Sequence, residues 1–144
     1  MNKMKLEFSS KSDNESFARI VASAFVMELD PTLEELSEIK TAISEAVTNA
    51  VIHGYNGNEN GIVILEGKLH NNSVTFAVTD NGKGISDIQK AREPMYTGKP
   101  SEERSGMGFT IMESFMDNIE VKSEVGIGTS VIMTKRIGVQ HNER

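Results

Sequence analysis

The sequence predicts an α+β fold, a two-layer sandwich with helices on one face of a mainly antiparallel sheet. Three observations predict it. Helix-patterned and strand-patterned segments come in blocks, without the strict β–α–β alternation of a parallel sheet. The strands come as hairpins: 61–69 (GIVILEGKL) and 73–80 (SVTFAVTD) are joined by Asn71 and Asn72, which tolerate the positive φ of a tight turn, and 118–136 folds back on itself. Two earlier stretches repeat apolar residues at helical spacing, each marking a helix with one buried stripe.

Residues 5–9 (KLEFS) alternate, which predicts a first strand with Leu6 and Phe8 on one face. Ser12 and Glu15 have the spacing of a capping box, and Phe17, Ile20, Val21 and Ala24 mark the inner face of a helix reaching about Leu29. Asp30 followed by Pro31 predicts an N-cap and first helical position for a second helix. That helix carries Leu33, Leu36, Ile39, Ile43, Val47 and Ala50 in one stripe and stops at Gly54. Val74, Phe76 and Val78 share a strand face that runs out into Asp80. A glycine-bearing turn, a short helix near 86–92 and a long loop over 93–108 precede a third major helix with Phe109, Met112, Phe115 and Met116. Residues 118–136 close the sheet, so that 1–136 form one domain and 137–144 read as a weakly ordered tail.

Composition narrows the function classes. The chain has 144 residues, enough to bury a core but too few for two domains. With no cysteine there is no disulfide, thiol nucleophile or zinc–thiolate site. A net charge of −6 argues against a nucleic-acid surface, which needs clustered Lys and Arg. No apolar run reaches the ~20 residues of a membrane helix, and MNKMKLEFSS lacks a signal-peptide core, so a cytoplasmic protein is expected.

Four short stretches carry chemistry. On the second helix Glu45 and Asn49 are one turn apart, about 40° around the wheel, flanked by the small Ala42 and Ala46. Alone, such a pair is more often a solvated face. TDNGKGI (79–85) places an aspartate at a strand end beside two glycines, and alone reads as an Asp/Asn-Gly turn. RSGMGF (104–109) opens a helix with glycines, an arrangement that admits phosphate to backbone N–H groups, although a lone G-x-G is usually a flexible loop. GIGT (126–129) by itself is a hairpin turn.

Together, and in this order, the four stretches resemble the Bergerat ATP-binding fold of DNA gyrase, Hsp90, histidine kinases and MutL. More locally, SEAVTNAVIHGY (44–55) and ERSGMGFTIMESFMD (103–117) are similar to the anti-sigma factor serine kinases of spore-forming bacilli, and to their forespore branch in particular. The similarity runs from NESFAR (14–19) to the final hairpin.

The resemblance implies a role for each matching residue. Asn49 would hold the Mg²⁺ that bridges the nucleotide phosphates, and Glu45 would be the general base for the attacking hydroxyl. Asp80 would accept a hydrogen bond from the adenine amino group, with Gly82 and Gly84 letting the backbone close beneath the base, Ile85 a further nucleotide-binding residue and Thr129 lining the adenine side. Residues 93–108 would be the ATP lid, with Gly106 and Gly108 turning it over the phosphates, and Ser105, Met107 and Phe109 would be further nucleotide-binding residues. Lys99 and Arg104 are its cations, and Arg104 is the one expected to neutralise the transferred phosphoryl group, because it abuts the glycines. The lid departs from histidine kinases at EPMYTGKP (93–100), where Met95 and Tyr96 stand in for phenylalanines. His53 reads as a helix-end histidine near the C-terminal dipole, while His70 and His141 have no partner spacing. Arg19 points away from the inner face of the first helix and reads as an exposed arginine.

For the whole chain, the resemblance implies a homodimeric anti-sigma factor and protein serine kinase. It would bind ATP or ADP with Mg²⁺, hold a sporulation sigma factor, and phosphorylate an anti-anti-sigma protein on serine. The first strand and helix are the candidate dimer elements, since the ATP motifs lie elsewhere. The transducer domain of gyrase, Hsp90 and MutL and the phospho-accepting helices of histidine kinases find no room in this length. The residues leave two alternatives open: a sibling kinase of the general stress response, and a nucleotide-gated binding module without phosphotransfer.

Overall fold

A computed structural model describes residues 1–93 and 108–138. Strands β1 (Asn2–Ser9), β2 (Ile62–His70), β3 (Ser73–Asp80), β4 (Asn118–Glu124) and β5 (Gly128–Arg136) form one sheet in the order β1-β2-β3-β5-β4. Every neighbouring pair is antiparallel. Helices α1 (Asn14–Val26), α2 (Leu33–Asn49), α3 (Ile88–Ala91) and α4 (Gly108–Phe115) complete the α+β sandwich that the sequence predicts.

The alternation of each strand sets the layers. Val63, Leu65 and Leu69 of β2, Val74, Phe76 and Val78 of β3, and Val131 and Met133 of β5 are buried under the helices. Their intervening neighbours form the open face. Phe76 is fully buried and meets Phe25 of α1 edge to face, with ring centroids 6.2 Å apart. Burial of one such side chain contributes roughly 1.5–3 kcal/mol. At the β2–β3 hairpin only Asn71 takes the positive φ, 55°.

Three local expectations are corrected. Ser12 and Glu15 form no capping box: α1 starts at Asn14, its N-cap Asp13 makes no side-chain bond, and the Glu15 carboxylate instead accepts from the Ser44 hydroxyl of α2. The inner face of α1 is Ala18, Ala22 and Val26, whereas Phe17 is 47% and Ile20 67% exposed and Ala24 also faces out. Short alanine side chains let α1 close on α2, a contact that a Phe17 stripe would hold apart. At the start of α2, Asp30 is no N-cap. It adopts φ 53° to end a 3₁₀ turn (Met27–Leu29), and Thr32 caps the helix. Thr32 and Glu35 bond reciprocally, Glu35 N to Thr32 Oγ1 at 3.0 Å and Thr32 N to Glu35 Oε1 at 2.9 Å. Leu33, in that first turn, is 86% exposed and lies outside the stripe.

Buried polar groups tie the layers together. Glu35 is fully buried, and its second oxygen accepts from Gly138 N at 3.1 Å. The buried Lys135 of β5 donates to Phe115 O at the end of α4 (2.7 Å) and pairs with Glu38 of α2 (3.1 Å). Ile137 is buried with its N–H on Asn72 O, so ordered packing extends two residues beyond the expected domain end. The remaining tail, 139–144, lies outside the described residues. Among the described residues no helix is long and apolar enough to cross a membrane.

Candidate nucleotide site

The site forms where α2 ends against the exit of β3. Helix α2 is anchored by Ile39, Ile43 and Val47, all fully buried, which fixes the rotation of its other side chains. Ala42 and Ala46 differ in role from the sequence expectation: both are buried, and only Ala46 lines the cavity. Beyond Asn49 the helix widens into a π-helical turn, Ala50–Gly54, closed by Tyr55 N on Ala50 O at 3.0 Å. Such widenings inside helices recur at functional sites. The turn delivers the Gly54 carbonyl to the loop after β3, where Lys83 N donates to it at 2.9 Å.

That convergence needs glycine. A Cβ on Gly82 would lie 1.9 Å from Gly54 O, so the two backbones meet only because residue 82 has no side chain. Gly84 adopts φ +78°, and a Cβ there would fall 2.3 Å from Glu124 O.

Between the π turn, this loop, α4 and the β4–β5 hairpin lies a cavity of about 390 Å³. Of the residues expected from sequence, Asn49, Asp80, Gly84, Ile85, Gly108, Phe109 and Thr129 line it. Gly82 packs behind it on Gly54. Glu45 stands at its α4 end: a Cβ placed on Gly108 would be 3.3 Å from Asn49 Nδ2 and 3.4 Å from Glu45 Oε2. One carboxylate and one amide therefore converge on the same point at the start of α4, across from a residue without a side chain. Lys99, Arg104, Ser105, Gly106 and Met107 lie outside the described residues, as do Met95 and Tyr96 and most of the expected 93–108 lid.

The other end of the cavity is set by Asp80, 5% exposed. Its Oδ1 accepts from Gly82 N at 2.9 Å, and the backbone N–H of Thr129, its register partner on β5, also donates to the carboxylate. Thr129 Oγ1 is in turn 2.7 Å from Ser123 Oγ. Burial raises the Asp80 carboxyl above its ordinary 3.8, and the N–H groups of Gly82 and Thr129 partly oppose that rise. A raised acid pKa means that the folded chain holds this proton more readily than the unfolded chain. The contribution of Asp80 to stability is therefore full below 3.8 and is lost as pH rises through the folded value. Asp80→Asn is expected to remove this component, flattening the fall in melting temperature above that pH, while weakening any ligand that donates to the carboxylate. Thermal melts across the acid range, run beside nucleotide titrations, measure both.

Sequence reasoning missed His53, Lys83, Asp87 and the floor pair Val78 and Val131, all of which line the cavity. His53 carried a usable signal, since it lies four residues beyond Asn49 and so extends the Glu45–Asn49 face. Val78 and Val131 carried none beyond strand alternation. They meet in the cavity because β3 pairs with β5 in that register.

Comparison with known proteins agrees with this geometry. Residues 8–135 match the family model of the histidine kinase-like ATPase domain. The anti-sigma F factor of Clostridium perfringens strain SM101 is 57% identical over 136 residues, covering 94% of this chain and 97% of its own. That of Geobacillus kaustophilus is likewise 57% identical, covering 94% and 93%. Among solved structures, the RsbU and RsbW domains of a Mycobacterium tuberculosis protein superpose with a TM-score of 0.67 at 19% identity. They cover 95% of this chain, which spans 32% of that longer one. The catalytic domain of histidine kinase ThkA superposes at 0.59 with 16% identity, covering 95% and 97%. The structural likenesses establish a shared fold, and the sequence identities go further: the chain belongs to the anti-sigma F factor family of histidine kinase-like ATPase domains.

Proposed function

We propose that this chain is a cytoplasmic anti-sigma factor that holds a sporulation sigma factor and, with Mg-ATP, phosphorylates the serine of an anti-anti-sigma protein. The observation that carries the reading is the meeting of Glu45 and Asn49 opposite Gly108, at one end of the cavity whose other end is Asp80. The distribution suits ATP: an acceptor for the adenine amino group at one end, hard oxygen donors at the phosphate end. Asn49 offers an amide oxygen to Mg²⁺, which typically completes its shell with phosphate oxygens and water, and the ion would neutralise charge on the transferred phosphoryl group. Glu45 would take the proton of the attacking serine hydroxyl. Ile85 and Phe109 line the cavity as apolar walls, and Gly84 and Thr129, also in its lining, would flank the base. In the lid, Arg104 and Lys99 are the proposed phosphate cations, with Ser105, Gly106 and Met107 supplying backbone N–H groups.

The partner assignments rest on the named relatives, which are anti-sigma F factors. A homodimer is part of the proposal. Phe17 and Ile20 of α1, with Met27 of the 3₁₀ turn that follows it, leave an exposed apolar stripe, suited to a second copy of the chain. Arg19, beside that stripe, pairs with Glu15 at 3.7 Å.

Retention of a purified sporulation sigma factor on the immobilised protein tests the binding half. Retention with ATP that falls away without nucleotide supports the proposal. Equal retention in both conditions removes the nucleotide from it.

A further inference from the structure

The loop that carries Asp80 is held by a side chain outside the nucleotide motifs. Tyr55 directly follows the π turn. Its hydroxyl accepts from Asn81 N at 2.8 Å and donates to Ile62 O at 2.5 Å. Its ring lies on Gly61, where a Cβ would fall 2.5 Å from ring Cδ1.

The β2–β3 register gives these two bonds a specific meaning. The ladder runs from His70↔Ser73 to Val63↔Asp80, so Ile62 and Asn81 would be its next pair. Hydrogen-bonded and non-bonded pairs alternate along an antiparallel ladder, and the pair closing a two-residue hairpin is a bonded one. Counting from His70↔Ser73, the Ile62–Asn81 pair falls on a bonded rung. In place of a direct N–H···O bond, the Tyr55 hydroxyl is inserted into that rung and spreads the strands by the width of one oxygen. Asp80 is the residue immediately before the insertion. On its other side its carboxylate abuts Gly54, the residue before Tyr55, where a Cβ would lie 2.6–2.8 Å from the carboxylate atoms. Residues 54 and 55 thus grip residues 80 and 81 from both sides.

We infer that Tyr55 is a positioning residue for base recognition: its hydroxyl, spliced into the last β2–β3 rung, fixes where the Asp80 carboxylate stands and so sets the preference for adenine over guanine. The inference rests on the proposed ATP reading of the cavity. Without the hydroxyl, Asn81 N closes directly onto Ile62 O and draws Asp80 towards β2. Tyr55 does not line the cavity, so the turnover of bound ATP is expected to stay unchanged.

The test is calorimetric titration of ATP and GTP into the full chain and into Tyr55→Phe, with phosphotransfer to the partner protein measured at saturating ATP. The expected result is an ATP affinity lower by about tenfold, a GTP affinity unchanged, and a saturating rate within about twofold. Gly61→Ala, which displaces the ring and keeps the hydroxyl, is expected to narrow the ATP-to-GTP ratio in the same direction. It carries the test if Tyr55→Phe fails to fold. A Tyr55→Phe protein with a lowered melting temperature but an unchanged ATP-to-GTP ratio would overturn the inference and leave the ATP reading standing. A wild-type chain that binds ATP no better than GTP would overturn both.

Discussion

Glu45→Ala is expected to lower the phosphotransfer rate by about 10²–10⁴-fold while leaving ATP affinity nearly unchanged. The geometry separates the two effects. Glu45 and Asn49 approach the same point at the start of α4, but they lie one helical turn apart, with only Asn49 proposed as the metal ligand. Removing the carboxylate takes away the proton acceptor and leaves the amide oxygen, the Asp80 acceptor and the apolar walls. Alanine is the best helix former, so α2 itself is not weakened by the exchange. Single-turnover transfer and equilibrium binding, measured on the same preparation, give the two numbers. A rate that survives the substitution would mean that the cavity binds nucleotide without Glu45 acting as its base.

Gly82→Ala is expected to cost about 3 kcal/mol of stability and to abolish nucleotide binding. The added methyl would sit 1.9 Å from Gly54 O and 2.3 Å from Gly54 C. Both are backbone atoms that no rotamer change can move. Either the π turn or the loop after β3 must back away, and each carries one wall of the cavity. Gly57→Ala is the control. Gly57 adopts a positive φ, +78°, which Gly82 does not, and has nothing within 4 Å, so only the conformational cost of about 1 kcal/mol applies there. Urea midpoints for the two variants separate close approach from backbone strain, and a similar small loss for both would refute the packing argument.

Much of the architecture was legible because local chemistry and tertiary demand agreed. Asn71 could take the hairpin turn, and Val74, Phe76 and Val78 needed a single buried face. Ile39, Ile43 and Val47 fixed α2 on one fully buried stripe. The misreadings arose where two local solutions were equally good. On α1 both Phe17–Ile20–Val21 and Ala18–Ala22–Val26 are valid helical stripes. The choice between them depends on how closely α2 approaches, which a helical wheel does not encode. At residues 30–35, Asp30-Pro31 and Thr32-x-x-Glu35 both signal a helix start. The reciprocal Thr32–Glu35 bonds satisfy two backbone N–H groups and prevail.

The candidate site divides along similar lines. Glu45, Asn49, Asp80 and the glycines stood out through spacing and residue type. The π turn did not, because its widening is matched to a bond from Lys83 N that is distant in sequence. The Tyr55 insertion was invisible for the same reason: it joins residues 55, 62 and 81, which only the strand register brings together.

The proposed chemistry is delivery of the γ-phosphate of ATP from this cavity to a protein serine. The most direct measurement is incubation of the chain with γ-labelled ATP, Mg²⁺ and a purified sporulation anti-anti-sigma protein, and then mapping of the label. Label is expected on a single serine of that partner, dependent on Mg²⁺ and absent with Glu45→Ala. An unlabelled partner, under conditions where the chain demonstrably binds ATP, would contradict it.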